Sequence, residues 1–266
     1  MEIFHLNKKM KNATSLSNIA GVYWSSRDME GFFIGNHHFI TFVYENEEQA
    51  KRITEKWGIE YFSEVNDKNL TVYYSTMGAG KGEETDCIKI NFNPGADKKS
   101  IHEIAKEDNT SYFSKDYDYQ GHRTPYNLAS PAFSSYEELM DAILERVSNF
   151  NAHFDAGDRV KYSLVDENCA CIVNSIFKSL GYSSNDRQEL GEFWGVDWGE
   201  EDLISERYFE KLSLVGNSNT LEIHLPQCKW AAIINPEHRR HFNSVEEAIA
   251  QGYNGCHFCL DKYDTD

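Results

Sequence analysis

The sequence lacks three features that would place it in a broad class at once. It has no stretch near the ~20 apolar residues of a membrane-spanning helix,. Residues 1–16 lack the apolar block and small-residue cleavage site of a signal peptide,. Basic residues are few, with 26 Lys and Arg against 43 Asp and Glu and a net charge of −17. We therefore expect cytoplasmic synthesis without a membrane span, and any export would use a specialised secretion system. We also expect no nucleic-acid partner, because nucleic-acid binding normally needs a basic face.

The composition is that of a folded protein with a substantial core. Hydrophobic residues make up 40% and aromatic residues 14% of the 266 positions, enough for one large domain or two smaller ones,. Helical and strand-like patterns are both present, which predicts an α+β fold. We expect helices over residues 47–57, 134–150 and 169–180 and strands over residues 70–76 and 87–92. Residues 31–44 are expected to form a strand or a hairpin that turns at Gly35-Asn36, and residues 77–86 a flexible loop.

Six cysteines are distributed unevenly along the chain. Three lie in the last forty residues, Cys169 and Cys171 are close together, and Cys87 is isolated. Disulfides are a poor default without a signal peptide, so metal binding and nucleophilic chemistry are the better interpretations.

The C-terminal segment carries the clearest motif. His224 and Cys228 form H-x3-C, and Cys256 and Cys259 form C-x2-C. Two close pairs of such ligands are typical of a closed tetrahedral zinc site, which is structural. Three nearby histidines are alternatives to His224 as the fourth ligand: His238, His241 and His257.

A short helix is predicted between the two ligand pairs. Ser244 and Glu247 form a capping box that begins a helix over residues 245–251, and Gly252 ends it,. A segment of about forty-five residues has too small a core to fold without a metal or disulfides. This need strengthens the prediction of structural Zn²⁺.

Residues 220–262 resemble the zinc-binding module at the start of Ada, the bacterial DNA methyl-repair protein. The resemblance rests on the H-x3-C pair, on F-x-S-x-x-E-A from Phe242 to Ala248, and on G-Y-x-x-C-x-x-C from Gly252 to Cys259. In Ada-type modules a cysteine of the site also accepts the methyl group, whereas His224 replaces the first cysteine here. Because the surroundings are also acidic, we interpret the module as structural, or as a docking surface for a protein partner or secretion machinery.

Cys169 has the sequence context of a nucleophile. It follows the polar Asp-Glu-Asn run of residues 166–168 and directly precedes an apolar helical run. A thiol at a helix N-terminus has a lowered pKa, and the thiolate is the reactive form. Cys171 is interpreted as core packing. The required base is sought in His37 and His38, which begin an apolar strand,.

This order of His-strand and Cys-helix resembles the circularly permuted papain-like, NlpC-type superfamily. The motifs are H-F-I-T-F-V from His38 and Y-S-L-x-x-x-x-N-C from Tyr162 to Cys169. The resemblance implies a core in which an antiparallel sheet packs on helices, a cysteine that attacks a carbonyl, and His38 or His37 as its base. Backbone N–H groups around Cys169 would stabilise the oxyanion. Three residues are candidates for orienting the histidine: Glu60, Asp67 and His102.

Together the motifs predict two domains, a papain-like cysteine hydrolase over residues 1–218 and the zinc module over residues 219–266. The leading hypothesis is a peptidase or amidase that acts through an acyl-enzyme. Signal-less bacterial members of the superfamily are often secreted toxins or effectors, which suggests peptidoglycan peptides as the substrate. The alternatives are an acyltransferase or thioesterase with the same pair, and a non-enzymatic, zinc-stabilised binding protein.

Overall fold

The computed structural model describes residues 15–28, 36–65, 69–82, 85–92, 133–162, 169–183 and 203–265. The chain divides into two compact units, Met1–Glu145 with Tyr162–Ile204 and Arg146–Lys161 with Ser205–Asp266. Each unit combines helices with a largely antiparallel sheet, so the α+β prediction is confirmed at that level. Within the described ranges no helix is both long and apolar enough to cross a bilayer.

The first unit is built on a five-stranded antiparallel sheet. Its strands are β1 (Gly21–Asp28), β2 (Asn36–Tyr44), β3 (Phe62–Val65), β4 (Thr71–Lys81) and β5 (Ile88–Phe92). The order is β1-β2-β4-β3, and β5 pairs with the second half of β4. The ladder from Met77↔Phe92 to Lys81↔Ile88 shows that the loop prediction for residues 77–86 is wrong in its first half. Small residues with weak strand propensity are held there by pairing with β5 rather than by their own preference.

One face of this sheet carries a tightly buried cluster. Phe39 and Val43 lie four residues apart on the same face of β2 and pack with side chains of β1 and β4,. The other members are Ile19, Tyr23, Val72 and Tyr74. Each large apolar side chain buried in this way contributes about 1.5–3 kcal/mol, so the cluster fixes the register of the strand that carries the histidines.

Helix α1 (Glu47–Trp57) has the bounds that the sequence predicts. The Asn46 side chain accepts a hydrogen bond from the Gln49 N–H at its start, and Gly58 ends it with a left-handed φ of 65°,. Helix α2 (Tyr136–Asp155) begins two residues later than predicted and runs five residues further. The two helices are joined by a bidentate ion pair between Arg52 and Glu137.

Helix α3 (Cys169–Ser179) brings the predicted nucleophile to the sheet. Every residue from its first to Phe177 is buried, and the helix lies against β2 and β4. It ends one residue earlier than predicted. Such a fully apolar environment is typical of a core helix, and it places Cys169 beside the strand that begins with His37 and His38.

The second unit contains a four-stranded sheet of order β8-β6-β7-β9. Its elements are β6 (Leu214–Asn217), β7 (Glu222–His224), α4 (Lys229–Ala232), β8 (Arg239–Phe242), α5 (Val245–Ala250) and β9 (Asn254–Gly255). Strand β9 runs parallel to β7, and the other pairs are antiparallel. Because β6 pairs with β7, this unit begins before the domain boundary predicted at residue 219.

A buried ion cluster stabilises the remainder of the second unit. The Asp158 carboxylate lies 2.9 Å from Nδ1 of His153 and accepts two hydrogen bonds from Arg207, at 2.6 and 3.0 Å. Burial alone would raise the pKa of Asp158, but His153 and Arg207 hold it well below its usual range. The cluster therefore ties the end of α2 to the segment that leads into β6.

Candidate functional site

The predicted ligands His224, Cys228, Cys256 and Cys259 converge on one point. Their ligand atoms all lie within 4.8 Å of one another, and Nδ1 of His224 is 3.8 Å from Sγ of Cys228. A tetrahedron with metal–ligand bonds of ~2.1–2.3 Å has edges of ~3.4–3.8 Å. Three of the four residues are buried and Cys259 is partly buried. The cluster thus has the size and composition to bind one metal ion.

The backbone positions these ligands through turns around β7. His224 ends β7, and the Cys228 N–H donates to the Leu225 carbonyl at 2.9 Å. The Cys256 N–H donates to the Ile223 carbonyl at 3.0 Å, which brings the second pair alongside the first. A side chain at Gly255 would overlap the Leu260 carbonyl, so this approach requires glycine.

His224 is the histidine of the cluster, and His238, His241 and His257 do not belong to it. His238 lies 3.3 Å from the Glu237 carboxylate, and His257 lies 3.0 Å from Asp264. His241 is exposed on β8. Burial lowers the pKa of His224, which favours the neutral imidazole that binds metals,. One imidazole and three thiols are a donor set that could hold a metal ion,.

The second site is the environment of Cys169, the first residue of α3. Its side chain is 4% exposed. The backbone N–H of His38 donates a hydrogen bond to Sγ of Cys169 at 3.3 Å. A sulfur at the start of a helix that also accepts a backbone hydrogen bond is placed where negative charge is stabilised.

The electrostatics of Cys169 favour the thiolate. Burial alone would raise the pKa of the Cys169 thiol. The charge and side-chain hydrogen bond of His37, together with His38, instead lower this pKa to about 7. An ordinary cysteine titrates near ~8.5. The two histidines therefore offset the effect of burial and favour the thiolate.

The two histidines have different relations to this sulfur. The side chain of His37 bonds it, whereas His38 bonds it through the backbone. His37 is partly exposed and stacks on Phe39, with centroids 5.9 Å apart, while the His38 side chain is 2% exposed. The sequence motif that begins at His38 does not predict this difference, because every residue except proline has a backbone N–H that can donate.

The candidate orienting residues remain predictions. Asp67 and His102 lie outside the described residues. The Glu60 carbonyl accepts a hydrogen bond from the Ser75 hydroxyl at 2.7 Å. Cys171 is fully buried within α3, in agreement with its interpretation as core packing.

Comparison of the chain with protein-family models, with curated proteins and with solved structures finds no match. Functional assignment therefore depends on the chemistry of these two sites.

Proposed function

We propose that the chain is a cysteine hydrolase of the permuted papain-like, NlpC-type class that cuts a peptide or amide bond through an acyl-enzyme. The observation that carries this proposal is the buried Cys169 sulfur at the start of α3, hydrogen-bonded by the His37 side chain and by the His38 N–H. Nucleophile and base within hydrogen-bond reach are the minimum machinery of covalent catalysis. The antiparallel sheet with α3 packed on β2 and β4 supports the papain-like core.

In the proposed mechanism His37 takes the Cys169 proton, and the thiolate attacks the substrate carbonyl carbon. The carbonyl π electrons move to oxygen, and backbone N–H groups near the start of α3 stabilise that oxyanion. The C–N bond then breaks, and the leaving amine takes the proton from His37. His37 next removes a proton from water, the hydroxide attacks the thioester carbonyl, and the thiolate leaves to regenerate the enzyme.

The substrate that we propose is the peptide portion of peptidoglycan, with the protein acting as a bacterial effector or toxin. Support for this comes from the superfamily resemblance in the Cys169 and His38 motifs. Transfer of the acyl group from Cys169 to a nucleophile other than water would instead identify an acyltransferase, which uses the same pair of side chains.

Two experiments test the proposal. Exposure of the full chain to an activated ester such as p-nitrophenyl acetate should acylate Cys169 before any other cysteine, as read by peptide mass spectrometry. Incubation with isolated peptidoglycan should release new amino groups, and C169A should lower this release by at least ~10³-fold. C171A is the matched control, because Cys171 is buried in the same helix. Equal release by wild type and C169A, or acylation that avoids Cys169, would refute the mechanism.

We propose Zn²⁺ as the metal of the second unit. One histidine and three cysteines form a soft, closed donor set, and the 3.8 Å spacing of His224 and Cys228 matches a tetrahedral edge,. Bound zinc would hold the turns around β7 together. Metal analysis should give one zinc per wild-type chain and a loss in C228S. H257A is the control, since His257 bonds Asp264. Zinc content unchanged by C228S would refute this ligand set.

A further inference from the structure

Phe39 lies next to the proposed base on strand β2. Alternate residues of a strand face the same side of a sheet, so the side chains of His37 and Phe39 are neighbours. Their ring centroids are 5.9 Å apart and their planes are inclined by 15°. This is an offset-stacked arrangement of the kind that aromatic pairs prefer, and it restricts the rotation of the imidazole ring.

The pairing of β2 makes Phe39 the fixed member of this pair. Strand β1 pairs with β2 from Asn36 onward, whereas the ladder with β4 begins at Phe39. Phe39 is therefore the first residue of β2 that is held by strands on both sides, and its side chain is fully buried in the cluster that also contains Val43. His37 precedes this doubly paired part and is partly exposed. The orientation of the His37 ring therefore follows that of Phe39.

The contact of His37 with Cys169 depends on that orientation. A base must direct one ring nitrogen at the proton that it removes, within hydrogen-bond reach. The His37 side chain makes this hydrogen bond to Sγ of Cys169. Rotation of the imidazole out of the stacked position would break the bond, and the buried Phe39 ring opposes such a rotation.

The Phe39 ring also favours a charged imidazole. The face of an aromatic ring carries partial negative charge, which attracts a cation within ~6 Å of the ring centroid. When His37 takes the Cys169 proton it becomes such a cation, and its ring centroid lies 5.9 Å from that of Phe39. Stabilisation of the imidazolium in turn stabilises the thiolate, since the two charges face each other.

We propose that Phe39 is a positioning residue for the cysteine–histidine pair: it holds the His37 ring toward Cys169 and favours the imidazolium. This inference rests on the proposed role of His37 as base. It gives Phe39 a task beyond filling the core. A leucine would also fill much of that space, but it would neither stack on the imidazole nor attract its charge.

The test compares two core substitutions on the same face of β2. F39L removes the aromatic ring, and V43A, the matched control, removes apolar volume from the same cluster. The readout is the thiolate absorbance of Cys169 in the full-length protein as a function of pH, with the same variant carrying C169S subtracted. F39L should raise the midpoint by about half a pH unit, the equivalent of a weak cation–π contact. V43A should leave the midpoint unchanged while it lowers the melting temperature.

A double-mutant cycle separates an effect through His37 from a general loosening of the core. In the H37A background F39L should leave the midpoint where H37A alone puts it, because no imidazole remains for the ring to hold. F39M is measured in parallel as a second variant without the ring, so that a folding defect of F39L does not decide the result.

The outcomes distinguish this proposal from the proposed function. Midpoints of F39L and F39M equal to that of wild type, an equal shift in V43A, or a further shift by F39L in H37A would each overturn the role of Phe39. An H37A midpoint equal to that of wild type would refute the base itself. A shift in H37A without one in F39L and F39M would refute the role of Phe39 alone. None of these measurements requires hydrolysis of a substrate.

Discussion

Replacing His37 with alanine should raise the pKa of Cys169 from about 7 to above that of an ordinary thiol. Burial raises this pKa, and the charge and hydrogen bond of His37 are the strongest opposing influences. With the imidazole removed, burial is opposed mainly by His38. We therefore expect H37A to titrate above ~8.5, the usual value for cysteine.

The size of the effect determines how it is best measured. Near pH ~7 the wild-type thiol should be about half ionised, whereas a thiol with a pKa of ~8.5 is only about 3% ionised. A thiolate of lower pKa is also intrinsically less nucleophilic, with a Brønsted slope of ~0.4–0.5, so a difference of ~1.5 in pKa lowers its reactivity about fivefold. The two effects nearly cancel in an alkylation rate at neutral pH, leaving a factor of about three. The midpoint of the titration is the sharper observable.

The assay is the ultraviolet absorbance of the thiolate as a function of pH, taken as the difference between each variant and the same variant carrying C169S. The subtraction removes the five other cysteines. Wild type should titrate near pH 7 and H37A above pH ~8.5,. An H37A midpoint that coincides with that of wild type would show that the His37 side chain does not stabilise the thiolate. That result would refute His37 as the proposed base.

Two further substitutions test the second unit by chemical denaturation. D158N should lower the unfolding free energy by about 2–3 kcal/mol at neutral pH, because it leaves His153 and Arg207 without their carboxylate, with allowance for the partial exposure of Arg207,. Because the folded pKa of Asp158 is lowered, its contribution to stability is complete above the unfolded pKa of ~3.9 and declines as pH falls below it,. The difference in unfolding free energy between D158N and wild type should therefore shrink in acid. A difference that stays constant with pH would contradict this. S244A should lower the unfolding free energy by about 1 kcal/mol through loss of the hydrogen bond from the Glu247 N–H, and an unchanged midpoint would contradict that role,.

Features encoded by short stretches of chain were predictable from the sequence. The helix predicted over residues 47–57 is confirmed as α1, with Asn46 accepting from the Gln49 N–H at its start and a left-handed Gly58 at its end,. Ser244 likewise begins α5 by accepting from the Glu247 N–H at 3.1 Å. The two metal-ligand pairs belong to the same category, because each pair is set by one turn.

Features that depend on contacts between distant segments were not predictable in this way. Residues 77–81 were read as loop because glycine and alanine have weak strand propensity, yet β4 continues through them under its pairing with β5,. The hairpin of β6 and β7 crosses the predicted domain boundary for a similar reason, since residues 218–221 form its turn. The stability of a strand pair depends on both strands, so the sequence of either strand alone does not predict the pairing.

The choice between the two histidines is where the sequence and the structure diverge most. The H-F-I-T-F-V motif starts at His38 and favours that residue as base, but adjacent residues of a strand face opposite ways,. The His37 side chain bonds the Cys169 sulfur, and the His38 contribution combines its charge with a backbone N–H that alanine retains. H38A should therefore raise the Cys169 pKa less than H37A does, and it should keep more of the hydrolytic activity. The reverse order of the two variants in both measurements would return the base to His38 and make His37 a neighbour that only modulates charge.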